Sequence, residues 1–290
     1  MNNDPIYLWS KLSSAKWQDA WEERFHAIED TSIVINEFPD KKTIRVEAYC
    51  RHEEQAEKIK EQFGGSIRKI ADRDWVAFSA PESPPVIVRD KFLVTPDTDE
   101  ERLAKIREEN AEREVLLIPA EMAFGTGDHA TTATCLRMMC DLVAEGLLPN
   151  EFKMLDLGCG SGILAIAAMK LGASKALGTD YDEAAVRISQ ENLKRNGLTD
   201  SAIRFEQADV TTWSPEGGDK CDLICANIFA DVLCQTLPNA IGWLAADGVM
   251  ILSGILEDHL EDVVEASAAN GLAIRERRQR GKWVTLLAGR

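Results

Sequence analysis

The chain has 290 residues, 45% of them hydrophobic, and a formal net charge of −16. That apolar content supports a real core, and the length suits one large domain or two smaller ones. The acidic balance excludes a broad nucleic-acid surface, which needs basic density, and is compatible with a basic partner.

The first residues, MNNDPIYLWSKLSSAK, lack the basic start and long apolar centre of a signal peptide. No apolar run approaches the ~20 residues of a membrane helix. A cytoplasmic protein is expected. Trp17 to Ile28 has helical spacing, with Trp17, Trp21, Phe25 and Ile28 on one face. Ser32–Glu37 and Thr43–Tyr49 alternate as strands do, around the turn FPDKK. Glu53–Phe63 reads as an amphipathic helix closed by Gly64 and Gly65. Ser66–Ile70 and Trp75–Ser79 are further short strand candidates. These elements predict a small α+β domain over residues 1–80.

Pro81, Pro84 and Pro85 break the pattern and mark a domain boundary. Residues 81–118 are expected as a linker with two short strands in Val86–Val94, a charged helix or insertion over Thr98–Glu114 and a strand at Val115–Ile118. The loop 119–132 carries Gly125 and Gly127, and a helix over Thr131–Glu145 follows, with Thr131 or Thr132 near its start as a cap.

From residue 152 the pattern becomes regular. Strands are expected at 154–157, 175–179, 203–207, 221–226, 249–253, 272–278 and 283–288, with helices at 163–171, 183–196, 230–244 and 257–270. Pro238 is tolerated only as a kink or break. The alternation predicts an α/β, doubly wound, Rossmann-like seven-stranded sheet. The link between the last two strands is too short for a crossover helix, so they form a C-terminal antiparallel hairpin.

The stretch Met154-Leu-Asp-Leu-Gly-Cys-Gly-Ser-Gly162 is a buried strand, a tight glycine turn and a helix start. In such a sheet the ligand sits at the carboxyl ends of the strands. Four successive strand ends carry polar residues: Asp156, Asp180, Asp209 and Asn227. A dinucleotide fingerprint would be G-x-G-x-x-G, and Ile163 stands where its third glycine belongs. No phosphate-loop lysine is present. The turn suits a ligand without a pyrophosphate. Asp180 suits two ribose hydroxyls, and Asp209 an exocyclic amino group. Adenosine joined to a small amino acid, as in S-adenosylmethionine, fits this set.

DLGCGSG at 156–162, GTDYD at 178–182 and the C-terminal hairpin resemble class I S-adenosylmethionine-dependent methyltransferases. More narrowly, AFGTGDHATT at 123–132, LDLGCGSGILAIAAMKLGA at 155–173, ANIFAD at 226–231 and LSGIL at 252–256 resemble the ribosomal protein L11 methyltransferase family, over about 115–290. Asp128 and Ala130 stand where that family usually has threonine and proline, and Phe229 where leucine is common. The resemblance implies cofactor contacts at Thr132, Gly158, Asp180 and Asn227, with the loop Phe124–Thr126 closing over the cofactor. It implies a methyltransferase domain over 119–290 and a substrate-recognition role for 1–80. The expected cofactor set adds Asp156, bonded to amides of the turn, together with Gly160 and Asp209. The expected activity is N-methylation of lysine or α-amino groups on a basic ribosomal protein. Asn227 is the candidate for orienting the amine, and His129 the second catalytic candidate.

Two other readings are weighed: a methyltransferase acting on another protein or a small molecule, and a catalytically silent cofactor-binding regulator. Seven cysteines without a CxxC pair, and four histidines without an HExxH, predict reduced thiols and no metal site.

Overall fold

The computed structural model describes residues 6–17, 21, 24, 25, 31–37, 42–50, 52–70, 85–119, 127, 129–215 and 220–290. It divides into two compact units, Met1–Pro81 and Glu82–Arg290.

The smaller unit is a four-stranded antiparallel sheet in the order β2-β3-β1-β4. Its strands are β1 (Ile6–Ser14), β2 (Thr31–Glu37), β3 (Thr43–Cys50) and β4 (Ser66–Ile70). Helix α1 (Glu53–Phe63) precedes β4. β1 was not among the expected strands. It is a central strand, and Tyr7, Leu8 and Trp9 are consecutive and all buried, so the period-2 pattern is missing where it would have been read. Trp9, Trp21, Phe25 and Phe63 form one aromatic cluster, with ring centroids 5.3–6.4 Å apart. Trp9 Nε1 donates to the Gly64 carbonyl at 2.6 Å. A side chain at Gly65 would put its Cβ 2.8 Å from that same nitrogen, and Gly64 caps the helix at φ +70°. Trp17 departs from the expected buried face. It ends a short 3-10 turn over Ala15–Trp17 and is 52% exposed. Ile28 and Trp75–Ser79 lie outside the described residues.

In the larger unit, β5 (Val86–Val88), β6 (Phe92–Thr95) and β7 (Glu114–Leu117) make a three-stranded sheet. Helix α2 (Glu100–Glu109) joins β6 to the parallel β7 and is capped by the Asp99 side chain. Val88, Phe92, Val94, Leu116 and Ile118 belong to the main hydrophobic cluster of this unit, so 86–118 is a packed layer of it.

Helix α3 (Ala130–Ala144) leads into the seven-stranded sheet. Its elements are β8 (Lys153–Leu157), α4 (Ile163–Lys170), β9 (Lys175–Asp180), α5 (Glu183–Arg195), β10 (Ile203–Gln207), β11 (Cys221–Asn227), α6 (Ala230–Ala240), β12 (Leu244–Leu256), α7 (Leu260–Ala269), β13 (Ala273–Arg280) and β14 (Trp283–Gly289). The strand order is β10-β9-β8-β11-β12-β14-β13. β14 runs antiparallel to both neighbours, and the other pairings are parallel. The order reverses between β8 and β11, which sets the switch point there.

Strand β11 shows how both faces are covered. Leu223 and Cys225 point into the cluster under α3 and α4, while Ile224 and Ala226 point into that under α6. α4 is buried along nearly its whole length, as expected for a helix apolar all round. α6 ends at Ala240, short of the expected residue 244, two residues past Pro238.

Trp9 is fully buried at the centre of the aromatic cluster. Trp9→Ala is expected to cost about 3–5 kcal/mol. Urea unfolding followed by fluorescence checks this, and a midpoint unchanged from wild type contradicts it.

Candidate functional site

The glycine turn after β8 is held to the end of β9 by three hydrogen bonds. The amides of Gly158 and Cys159 both donate to the Thr179 carbonyl, at 2.9 and 2.8 Å. The Gly160 amide donates to Asp180 Oδ2 at 2.9 Å. The backbone turns through positive φ at Gly158, Gly160 and Gly162. A Cβ on Gly158 would lie 2.2 Å from Ile228 Cγ2. On Gly162 it would meet Phe205 and Ser189 at 2.8 Å. The turn is therefore glycine-rich for packing as well as for conformation.

Asp180 ends β9 and is buried. Its Oδ1 accepts the Asp182 amide at 3.1 Å, so both oxygens are oriented by backbone donors. Each keeps acceptor capacity for a ribose hydroxyl. Burial raises its pKa, and the amides of Asp182 and Gly160 oppose that rise.

Asp156 behaves differently from the expectation. Neither carboxylate oxygen has a hydrogen-bond partner, and the residue is fully buried. Position 156 shares the face of β8 with Met154, which packs under α4, so the side chain enters the apolar interior instead of bonding amides of the turn. Among the amides of the turn, that of Gly160 goes to Asp180. Burial pushes the Asp156 pKa up to about 7, against the Ala165 amide and with help from the Asp180 charge.

Asn227 ends β11 on the other side of the switch point. Its Nδ2 donates to Thr132 Oγ1 at 3.3 Å, which fixes the amide orientation, and its Oδ1 is buried with no partner. Thr132 is 1% exposed in the first turn of α3. The sequence singled out Asn227 and Thr132 separately, and the fold brings them together. The segment after Asn227 leans on Gly254: the Ile228 amide donates to the Ser253 carbonyl at 3.2 Å, and a Cβ on Gly254 would fall 2.4 Å from the Ile228 carbonyl oxygen. Gly254 has φ +81° and sits in an irregular stretch of the β12–β14 ladder. Sequence reading named the LSGIL stretch without this reason.

His129, and not a threonine, is the N-cap of α3. Its Nδ1 lies 2.7 Å from Thr131 Oγ1, and its ring packs edge-on to Trp283 at 5.3 Å. Asp209 follows β10 as an exposed turn residue. Its Oδ1 accepts the Thr211 amide at 2.9 Å and the Thr211 hydroxyl at 2.7 Å, which lower its pKa. Phe124 and Thr126 lie outside the described residues. Phe229 is 55% exposed and Tyr181 79% exposed at the same carboxyl edge. No described group of His, Cys, Asp and Glu could hold a metal ion.

These residues fit an adenosyl amino acid. Asp180 presents an oriented carboxylate where a ribose would lie, the turn carries no side chain at Gly158 because Ile228 packs against it, and Asn227 Oδ1 is a buried acceptor awaiting a donor. Fold and site together define an S-adenosylmethionine-dependent methyltransferase. The family model for ribosomal protein L11 methyltransferase matches residues 10–290. A ribosomal protein L11 methyltransferase of Pelotomaculum thermopropionicum is 37% identical over 225 residues, 77% of this chain and 68% of that protein. One from Dictyoglomus thermophilum is 31% identical over 287 residues, 95% of this chain and 86% of the relative. The match to the Heliobacterium modesticaldum enzyme, 38% identical, spans 62% of that protein. The crystal structure of a ribosomal protein L11 methylase from Lactobacillus delbrueckii subsp. bulgaricus, 27% identical, superposes with a TM-score of 0.57 over 71% of this chain and 98% of that one. The chain belongs to the ribosomal protein L11 methyltransferase family.

The Asp156 environment has a consequence for stability. Its folded pKa of about 7 lies above the ordinary value of 3.8, so the folded state holds the proton more tightly. The contribution is present below pH ~4 and is lost as pH rises toward 7. Asp156→Asn is expected to remove that loss, gaining a few kcal/mol at most at pH 8 relative to pH 5. Thermal unfolding at both pH values checks this. A variant with the wild-type pH dependence contradicts it.

Proposed function

We propose that this chain N-methylates lysine or α-amino groups of ribosomal protein L11. The observation that supports this best is the oriented, half-satisfied amide of Asn227 at the switch point. Its Nδ2 is committed to Thr132, so the unpartnered Oδ1 is the acceptor for an amine hydrogen. When bound, S-adenosylmethionine supplies a methyl group on a sulfonium, which leaves the protein mainly the task of positioning. Asp180 grips the ribose and Asp209 the adenine amino group, while Gly158, Gly160 and Thr132 line the donor. Phe124 and Thr126 belong to the covering loop.

The acceptor amine must be neutral to attack. Drawing it from water to the apolar rim beside Asn227 lowers its pKa. His129, held at Nδ1 by Thr131, is the second candidate for handling that proton. Asp156 reads as a support beneath the turn, not as a ligand-facing group.

The smaller unit is assigned to substrate recognition and residues 119–290 to methyl transfer. A net charge of −16 favours a basic ribosomal protein over nucleic acid. No described helix is long and apolar enough to cross a membrane. The substrate makes a cytoplasmic location the natural one.

Calorimetric titration with S-adenosylmethionine is expected to give micromolar-class affinity. Asp180→Ala is expected to weaken it at least tenfold, because a lost charge-assisted pair of hydrogen bonds is worth about 1.5–3 kcal/mol. Incubation with methyl-labelled cofactor should label L11. Unchanged affinity in the variant sinks the site assignment, and no label on L11 sinks the substrate assignment.

A further inference from the structure

The face of β13 that packs on α3 gathers four arginines in a chain that is otherwise strongly acidic. Arg278 and Arg280 come from β13, Arg137 from α3 and Arg89 from the turn between β5 and β6. Two of them are neutralised. Asp141 takes Arg89 at 2.6 Å and Arg278 at 2.7 Å, and Glu276 also takes Arg278 at 2.6 Å. The other two are not. Arg137 has one weak bond, from Nη2 to the Ile87 carbonyl at 3.4 Å. Arg280 has no hydrogen bond or ion pair among the described residues. Half-burial, and after it the nearby charges of Arg280 and Arg89, disfavours the charge on Arg137, on the helix that packs against β13. Two guanidinium groups brought together without a counter-charge are an unfavourable arrangement for the protein alone.

Their position gives it a use. Arg280 pairs with Trp283 across the hairpin, at the carboxyl edge of the sheet. Trp283 touches His129, one helical turn from Thr132, which holds Asn227. Arg280 and Asn227 therefore stand at the same carboxyl edge of the sheet, linked through Trp283, His129 and Thr132.

We propose that Arg137 and Arg280 form a docking site for a carboxylate of the protein substrate near the methylated amine. This rests on the reading of Asn227 as the residue that faces the acceptor. A guanidinium pair suits a carboxylate through bidentate hydrogen bonds. A nucleic acid would present the same anion chemistry, but its many phosphates would meet the field of −16 charges. One carboxylate on a basic protein does not.

A double-mutant cycle tests this. The enzyme carries Arg137→Gln with Arg280→Gln, and L11 carries amides in place of its carboxylates near the methylated amine. Each change alone is expected to raise KM for L11 about fivefold, the scale of an exposed to half-buried charge pair. kcat and calorimetric cofactor affinity should hold. The two together should raise KM no further than either alone. An unchanged KM, or two effects that multiply independently, overturns the docking site and leaves the function standing. So does a short RNA held by the wild type and lost by the variant, because that assigns the pair to phosphate. Wild-type enzyme that binds cofactor but leaves L11 unmethylated overturns both readings.

Discussion

The structure depends on the fastening of the glycine turn to the end of β9. Three amides of the turn are spent there, two on the Thr179 carbonyl and one on the Asp180 carboxylate. This fastening places α4 and orients Asp180. Neighbouring parts hold the same geometry. Phe205 and Ser189 crowd Gly162 from one side, and Ile228 crowds Gly158 from the other. A change in the turn is felt by β9, β10 and the segment after β11 together, as close packing requires.

The two sides of the switch point divide the chemistry. Asp180 stands on the β9 side as a carboxylate held by amides. Asn227 stands on the β11 side as a neutral amide held by one threonine. The buried Asp156 between them makes no hydrogen bond of normal geometry, the Ala165 amide being the backbone donor that opposes its pKa rise, and three thiols pack around it. Cys135, Cys159 and Cys225 are all free and all have their pKa raised, first by burial. They are inert small side chains in this setting.

Much of the larger unit was legible in the sequence. β8, β9 and β11 are short, mostly apolar runs with a polar residue at or beside their ends, β10 alternates, and the hairpin of β13 and β14 follows from its short link. Asp180, Asn227, Gly158 and Thr132 all appear at the switch point, two of them read from strand ends, Gly158 from the glycine turn and Thr132 from the resemblance. What stayed hidden depends on contacts distant in sequence. β1 could not be read because three consecutive residues are buried. The cap on α3 is a histidine because Trp283, far along the chain, supports its ring. Asp156 was expected to reach the turn, and only the parity of β8 shows that it faces inward. Gly254 looks unremarkable until Ile228 is seen beside it. The uncompensated pair of Arg137 and Arg280 requires two elements 143 positions apart to be laid together.

Hydrogen exchange with and without S-adenosylhomocysteine locates the methyl-donor site. New protection is expected over residues 157–163, 179–182 and 226–228, with the sheet interior already protected in both states. Protection confined to other segments, or none at all at saturating ligand, contradicts the placement of the methyl-donor site at this turn.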